Sequence, residues 1–243
     1  MSSIGIVVAM QPEAACLTAL LPRPGNSIQI GSGLILHLCG IGPERAMRAA
    51  QQLAAEGVAG LMSFGTAGGL VHGLASGAIL IPEQVETSSG SLYTHPGWRI
   101  HVQQRLTAIG MHIAPGNMTN ADQVVSTAVA KAALGAERNA AGVDMESAAV
   151  LQIAAQNRLP ALVMRVVVDP LHMELPGFLL KRTDMYGRAN LAGVLLDLVR
   201  APTRLPALLQ LHGAFRAATQ TMHRVGKQLH DLHPGHDVLI QAR

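Results

Sequence analysis

Three carboxylates in this chain stand where a strand has just ended or a helix is about to start. Glu13 follows the run Ile4–Met10 and Pro12, Glu146 sits at a helix start after Val143, and Asp169 follows Val166-Val167-Val168. Ligands of α/β sheets bind beyond the carboxyl ends of the strands, so these positions face a common rim if the sheet order brings them together. An aspartate leaving an apolar strand is desolvated, which favours its protonated form and suits it to general-acid work. The sequence reads equally well with Asp169 capping the turn that holds Pro170. Glu146 and Glu13 each read as a helix-start carboxylate favoured by the helix dipole. Two glycine-rich turns share the rim, Gly40-Ile41-Gly42 and Gly65-Thr66-Ala67-Gly68-Gly69. The second lets a ligand approach the backbone and adds the Thr66 hydroxyl. It carries neither the Gly-Lys-Ser/Thr of a phosphate-binding loop nor the dinucleotide fingerprint.

The elements that must hold these groups are legible as alternating strands and helices. Strands are expected at Ser3–Ala9, at Ile28–Ile30 and Leu34–Leu38 around the hairpin turn Gly31-Ser32-Gly33, at Gly60–Phe64, Ala78–Val85 and Ala141–Val143, and at Pro160–Val168. Helices are expected at Glu13–Leu21, after Gly42-Pro43, at Ile100–Ile109, Gln123–Leu134, from Glu146 to Asn157, at Tyr186–Arg200 and at Leu205–Leu229. The strands are continuous apolar runs, which predicts a largely parallel sheet covered on both faces by helices. The composition shifts near Arg200-Ala201-Pro202, dividing the chain into a body, residues 1–200, and a basic helical extension and tail, residues 201–243.

Of 243 residues, 49% are hydrophobic, enough for a sizeable core. One Trp, two Tyr and three Phe leave little to stack nucleobases on, which argues against a nucleic-acid reader. Residues 1–199 carry 12 basic and 13 acidic side chains, residues 200–243 six and two, so the net charge of +3 belongs to the tail. Cys16 and Cys39 form no CxxC and no disulfide framework, and the start MSSIGIVVAM reads as a strand rather than a signal peptide. A cytoplasmic protein is expected, with the basic face of the tail helix (Arg216, Arg224, Lys227) able to meet the inner membrane surface. Packing of that helix on the body or on a dimer mate reads equally well. His230, His233 and His236 are three apart, but Pro234-Gly235 breaks any helical ligand face, and no metal is expected.

The order of these pieces resembles the family of purine nucleoside phosphorylases and nucleosidases over roughly residues 3–200. Ile4–Met10 with Glu13 resembles the opening of the methylthioadenosine/adenosylhomocysteine nucleosidases, Cys39–Pro43 the next glycine turn and Phe64–Leu70 the glycine loop near ribose or phosphate. Val143-Asp144-Met145-Glu146-Ser147-Ala148-Ala149 resembles the motif that holds the ribose hydroxyls, and Arg165–Asp169 the strand bearing the catalytic acid. The Asp-Met-Glu-Ser form, the short length and the basic tail are most similar to the hopanoid-associated branch, linked to removal of adenine from adenosylhopane. The resemblance implies a three-layer fold, a central mixed twisted β-sheet flanked by helices, with a C-terminal amphipathic helical extension. It implies that Asp169 protonates N7 of adenine, that Glu146 holds the ribose 2′- and 3′-hydroxyls with Met145 packed on the sugar, and that Glu13 handles the attacking water. Gly65, Thr66 and Gly68 would line the nucleophile side. Val168 stands where the family often has a serine beside the acid, and Gln123 and Val124 stand where nucleosidases place an aromatic near the purine.

Bacterial phosphorylases of this family hold phosphate with arginines near the first strand and two residues before the glycine loop. Those positions carry Gln11-Pro12-Glu13 and Ser63 here. Glu13 would repel a phosphate dianion, so hydrolysis is expected, with Arg45, Arg48 or an arginine of a second subunit left as routes to phosphate as co-substrate. No other cofactor is expected. A lipid nucleoside needs an apolar channel at the 5′ end, for which Leu171, Met173, Leu175, Phe178, Leu179 and Leu180 are candidates; ordinary loop packing is the alternative. The expected partner is an adenine nucleoside and the expected assembly a homodimer. Competing readings are a methylthioadenosine/adenosylhomocysteine nucleosidase, a general purine nucleoside phosphorylase, and a nucleoside-binding protein without catalysis. The joint presence of Glu13, Glu146 and Asp169 counts against the last.

Overall fold

The computed structural model describes residues 3–190, 193, 194, 197 and 200–233. Eleven strands form one sheet. Its main path runs β2(Ser27–Gln29), β3(Leu34–Leu38), β1(Ile4–Val8), β4(Gly60–Gly69), β10(Gly142–Asp144), β9(Met118–Asn120), β6(Gln84–Thr87), β7(Gly90–Tyr93). β11(Ala161–Asp169) pairs with β4 and with β5(Ile79–Leu80), and β5 also pairs with β8(Ile113–Ala114). The sheet is mixed: β1, β3, β4 and β11 run parallel, while β10 meets β4 and β5 meets β11 antiparallel. Six of the ten strand pairings among the described residues are parallel, so the apolar runs point correctly to a covered, largely parallel sheet, and the four antiparallel pairings make it the mixed sheet that the resemblance implies.

The described helices are α1(Gln11–Leu17), α2(Pro43–Ala55), α3(Pro96–Ala108), α4(Ala128–Arg138), α5(Ser147–Gln156), α6(Gly177–Leu180) and α7(Leu205–Gly226). Alternation along β1 sends Ile4, Ile6 and Val8 to one core and Val7 to the other. The first core includes Trp98 of α3 and Ala214, Ala218, Met222 and Val225 of α7. The second holds Ala46, Ala49, Ala50 and Leu53 of α2 with Val150 and Ile153 of α5. Gly5 lies where an added Cβ would stand 3.0 Å from Leu53, so α2 seats close on β1.

Several boundaries differ from the sequence expectation, each for a local reason. The Gly65–Gly69 run is not a turn after a short strand. It is the second half of β4, held extended by β11 on one side and by β10 at Gly68 and Gly69. The helix expected from Gln123 starts at Ala128, because the Thr127 hydroxyl caps it by accepting from the Ala130 N–H at 3.2 Å. That leaves Gln123 and Val124 in a loop. The span Ala78–Val85 splits into β5 and β6. Within the helix expected at Tyr186–Arg200, residues 186–190 form turns and an isolated bridge from Thr183 to Ala189, and part of the remainder lies outside the described residues.

α7 lies across α1 and β11. Thr221 donates to the Gly77 carbonyl at 3.0 Å, and Trp98 Nε1 donates to the Leu232 carbonyl at 3.0 Å. Arg216, Arg224 and Lys227 remain exposed. No described helix is long and apolar enough to cross a membrane.

Candidate active site

Glu13 sits in the first turn of α1, immediately beyond β1, and is 2% exposed. Its Oε1 accepts from the Thr66 N–H at 2.7 Å and the Thr66 hydroxyl at 2.8 Å, and Oε2 accepts from the Met10 N–H at 2.9 Å. Burial nonetheless pushes its pKa up, with the Arg165 guanidinium and these hydrogen bonds pulling the other way.

Glu146 precedes α5 and is 6% exposed. Its Oε1 accepts from the Gly42 N–H at 2.8 Å, and Oε2 lies 4.0 Å from Arg165 Nη2. This contact requires Gly42 to turn its amide inward at φ 114°, a conformation that glycine alone adopts readily. Burial, with the nearby Asp144 carboxylate adding to it, pushes the Glu146 carboxyl up to about 7 against the pull of Arg165. Raised folded-state pKa values mean that holding such a carboxylate ionised costs stability. The cost is absent below the unfolded value near 4.5 and complete above about 7. We therefore expect Glu146→Gln to flatten the fall in Tm between these pH values, as read by thermal melts at half-unit intervals.

Asp169 ends β11 at a register irregularity: Val167 pairs with Ala67 and Asp169 with the very next residue, Gly68. The bulge re-aims the side chain at the strand terminus. An added Cβ at Gly68 would stand 3.2 Å from Asp169 Oδ2, so a small residue there leaves the carboxylate its room. Burial raises the Asp169 pKa, opposed by Lys131, whose Nζ lies 2.6 Å from Oδ2.

These three carboxylates line one cavity of about 320 Å³. Of the other residues expected to act, Thr66, Gly68, Gln123, Val124 and Met145 line it, as does Leu179. Gly65 is buried beneath, against Arg165 and Glu13. Leu171 and Met173 are buried in the protein rather than lining the cavity, and Phe178 lies under the Arg204 guanidinium, 4.9 Å from ring centre to Cζ. The apolar wall is made instead by Leu175, Leu179, Leu180, Leu211 and Phe215, the last two from α7. Arg45 and Arg48 are outside: Arg45 donates to the Ile41 carbonyl and Arg48 pairs with Glu44, both exposed. His230 and His233 belong to no group of three ligands that could hold a metal among the described residues, and His236 lies outside those residues.

Two groups were missed by reading the residues singly. Arg165, 1% exposed in the middle of β11, bonds Asp144 at 2.6 Å, Ser63 at 2.6 Å and Ser147 at 3.2 Å. Lys131 of α4 is fully buried and meets Asp169. A single cation inside the apolar run from Ala161 to Val168 was the available signal for Arg165, since a buried charge demands a partner.

No curated protein matches the chain. Among solved structures it is similar to the futalosine hydrolase of Helicobacter pylori strain 26695, at 18% identity over 95% of this chain and 97% of that one, with TM-score 0.69. It is similar to the 5′-methylthioadenosine/S-adenosylhomocysteine nucleosidase of Campylobacter jejuni, at 14% identity, 96% and 98% coverage and TM-score 0.69. A mutant of the Helicobacter pylori counterpart with 5′-methylthioadenosine in its active site matches at 20% identity, 71% and 87% coverage and TM-score 0.62. At these identities the likeness is one of fold, and it extends past residue 200 into α7. The family model of the phosphorylase superfamily matches residues 3–200, a span holding every element that brings a carboxylate to the cavity, and the chain belongs to that superfamily.

Proposed function

We propose that the chain is an enzyme that cleaves the N-glycosidic bond of an adenine nucleoside, with water as acceptor. The observation that carries this reading is the convergence of Glu13, Glu146 and Asp169, from three separate elements, on one cavity. Asp169, held toward its protonated form by burial, gives a proton to N7 and makes adenine a neutral leaving group. Glu146 takes the ribose hydroxyls, with Met145 against the sugar, and its charge favours the oxocarbenium ion that develops as the bond breaks. Glu13 orients the water beside Thr66, and Gln123 and Val124 flank the purine. The structural neighbours named for adenine-containing 5′-methylthioadenosine support this substrate class.

The position of Glu13 supports water over phosphate. Its carboxylate already occupies the Thr66 and Met10 donors that an incoming anion would need. Phosphate as a co-substrate is the alternative. No metal or organic cofactor enters the reading.

For the 5′ substituent we favour a long apolar group, as in adenosylhopane, which would give the enzyme a step in hopanoid lipid synthesis. The wall of Leu175, Leu179, Leu180, Leu211 and Phe215 supports it. The test is adenine release from adenosylhopane, methylthioadenosine and adenosylhomocysteine, each with and without phosphate. Preference for the lipid nucleoside, with ribosylhopane as product and no phosphate requirement, is the expected result. A 5-substituted ribose 1-phosphate formed only with phosphate overturns hydrolysis, and preference for either thioether nucleoside overturns the lipid assignment.

A lipid substrate calls for peripheral contact of a cytoplasmic enzyme with an anionic membrane, and the exposed Arg216, Arg224 and Lys227 support it. Replacing all three with Gln should weaken binding to anionic liposomes by about 10²-fold at low salt, at about 1 kcal/mol per basic residue near the surface. Turnover of methylthioadenosine should stay unchanged, and equal liposome binding by the variant rejects the contact. We take the enzyme to be a homodimer. The exposed Val124 and Val129, 46% and 80% accessible, support burial of this rim by a second subunit.

A further inference from the structure

Lys131 is a buried cation that meets the Asp169 carboxylate but does not itself line the cavity. Its Nζ meets Asp169 Oδ2 at 2.6 Å and the backbone carbonyls of Asp169, Pro170 and Met173 at 3.2, 3.1 and 2.7 Å. One ammonium thus holds both the side chain of Asp169 and the chain that leaves it. The neighbouring residue Val168 offers no hydroxyl to do this, and its carbonyl is engaged by the Ser76 hydroxyl at 2.6 Å.

We propose that Lys131 is the positioning residue of the reaction. It fixes the Asp169 carboxyl toward the purine and carries the negative charge left on Asp169 when the proton has gone. The proposal rests on the nucleosidase reading. In the step, the Asp169 O–H bond breaks and an N7–H bond forms, the C1′–N9 electron pair leaves with adenine, and the water beside Glu13 bonds to C1′ and gives a proton to the Glu13 carboxylate. Lys131 keeps its own proton throughout, and solvent reprotonates Asp169 after adenine departs.

The surroundings make Lys131 the charge that decides the proton affinity of Asp169. β4 and β5 carry no charged residue, and α7 presents Leu211 and Phe215 to the cavity. Arg165 on the same strand is spent on Asp144, with Glu146 and Glu13 around it. His172 and Glu174 in the loop that follows are exposed. The sign follows from charge: a cation at this distance favours the carboxylate, so it makes Asp169 a stronger acid and lowers the pH at which it is lost as a donor.

The experiment compares wild type with Lys131→Met, Lys131→Gln and Lys131→Arg. Gln keeps hydrogen-bond donors without the charge and Arg keeps the charge, so one of them reports even if Met fails to fold. Adenine release is followed across pH. The alkaline limb should move up by about 1–3 pH units in the Gln and Met variants and stay in place in Arg. The maximal rate should fall in the uncharged variants. A profile scaled down with the limb unmoved, or a limb moved equally by Arg, overturns the proposal. The Asp169 carboxyl is also titrated directly by ¹³C NMR in the substrate-free enzyme, where its midpoint should rise in Lys131→Gln; an unmoved midpoint likewise overturns it. If wild type releases adenine from no nucleoside, the nucleosidase reading fails, and the NMR midpoint still decides the pairing on its own.

Discussion

Asp169→Asn should lower adenine release by roughly 10²–10⁴-fold, the usual contribution of a positioned general acid. The amide cannot deliver a proton to N7, and adenine would have to leave as an anion. The substitution also strands Lys131, whose carboxylate partner lies at 2.6 Å and whose side chain is fully buried. Removing one partner of a buried ion pair costs about 3–5 kcal/mol. Loss of activity and loss of stability therefore arrive together, and a double variant separates them. Adding Lys131→Met to Asp169→Asn removes the stranded cation, so stability should return toward wild type while activity does not. Denaturant unfolding and adenine release on the four members of this cycle provide the measurement. A double variant as unstable as Asp169→Asn alone would mean that Lys131 is held by its three carbonyls rather than by the carboxylate.

The largest effect on stability is expected from Arg165→Met. Its guanidinium meets Asp144 and Ser63 at 2.6 Å each and stands 4.0 Å from Glu146, all buried. Met fills much of the volume but leaves Asp144 with the Ser147 hydroxyl and N–H as its remaining partners. A loss of about 3–5 kcal/mol follows from breaking the buried pair, or roughly 2–4 °C of Tm per kcal/mol in a chain of this size. The deficit should be smaller at pH 5 than at pH 8. Glu13 and Glu146 already hold protons more tightly folded than unfolded, and removing Arg165 strengthens that preference. Stability is thus regained as pH falls through their folded values and lost as it rises. Arg165→Lys should fall between the two, since an ammonium lacks the planar fork that reaches Asp144, Ser63 and Ser147 at once. An equal deficit at both pH values would contradict this electrostatic account.

Glu13, Glu146 and Asp169 were legible because strand ends announce themselves: a β-branched apolar run stops and a carboxylate follows. Leu211 and Phe215 were legible as helix positions but not as cavity wall, because helical spacing says which face is buried and not against what. Lys131 was hidden for a different reason. The buried face of α4 is Lys131 and Gly135, four residues apart, while Val129 on the same helix is 80% exposed. Apolar periodicity therefore points away from the buried side, and a lysine among alanines reads as solvated. The strands β8 and β9, two and three residues long, are too short to carry a period at all. The glycine run of β4 read as a turn because local propensity favours one. Pairing on both sides, which no local pattern reveals, keeps it extended.

The contribution of α7 to the cavity bears on how the protein is made. A nascent chain that has just completed β11 already contains Glu13, Glu146, Lys131 and Asp169, yet it lacks the wall supplied by Leu211 and Phe215. Synthesis must pass residue 215 before that pocket can close. Translation arrested after β11 would leave a fragment with its acids in sequence and its apolar sheet face bare, a client for chaperones rather than a catalyst.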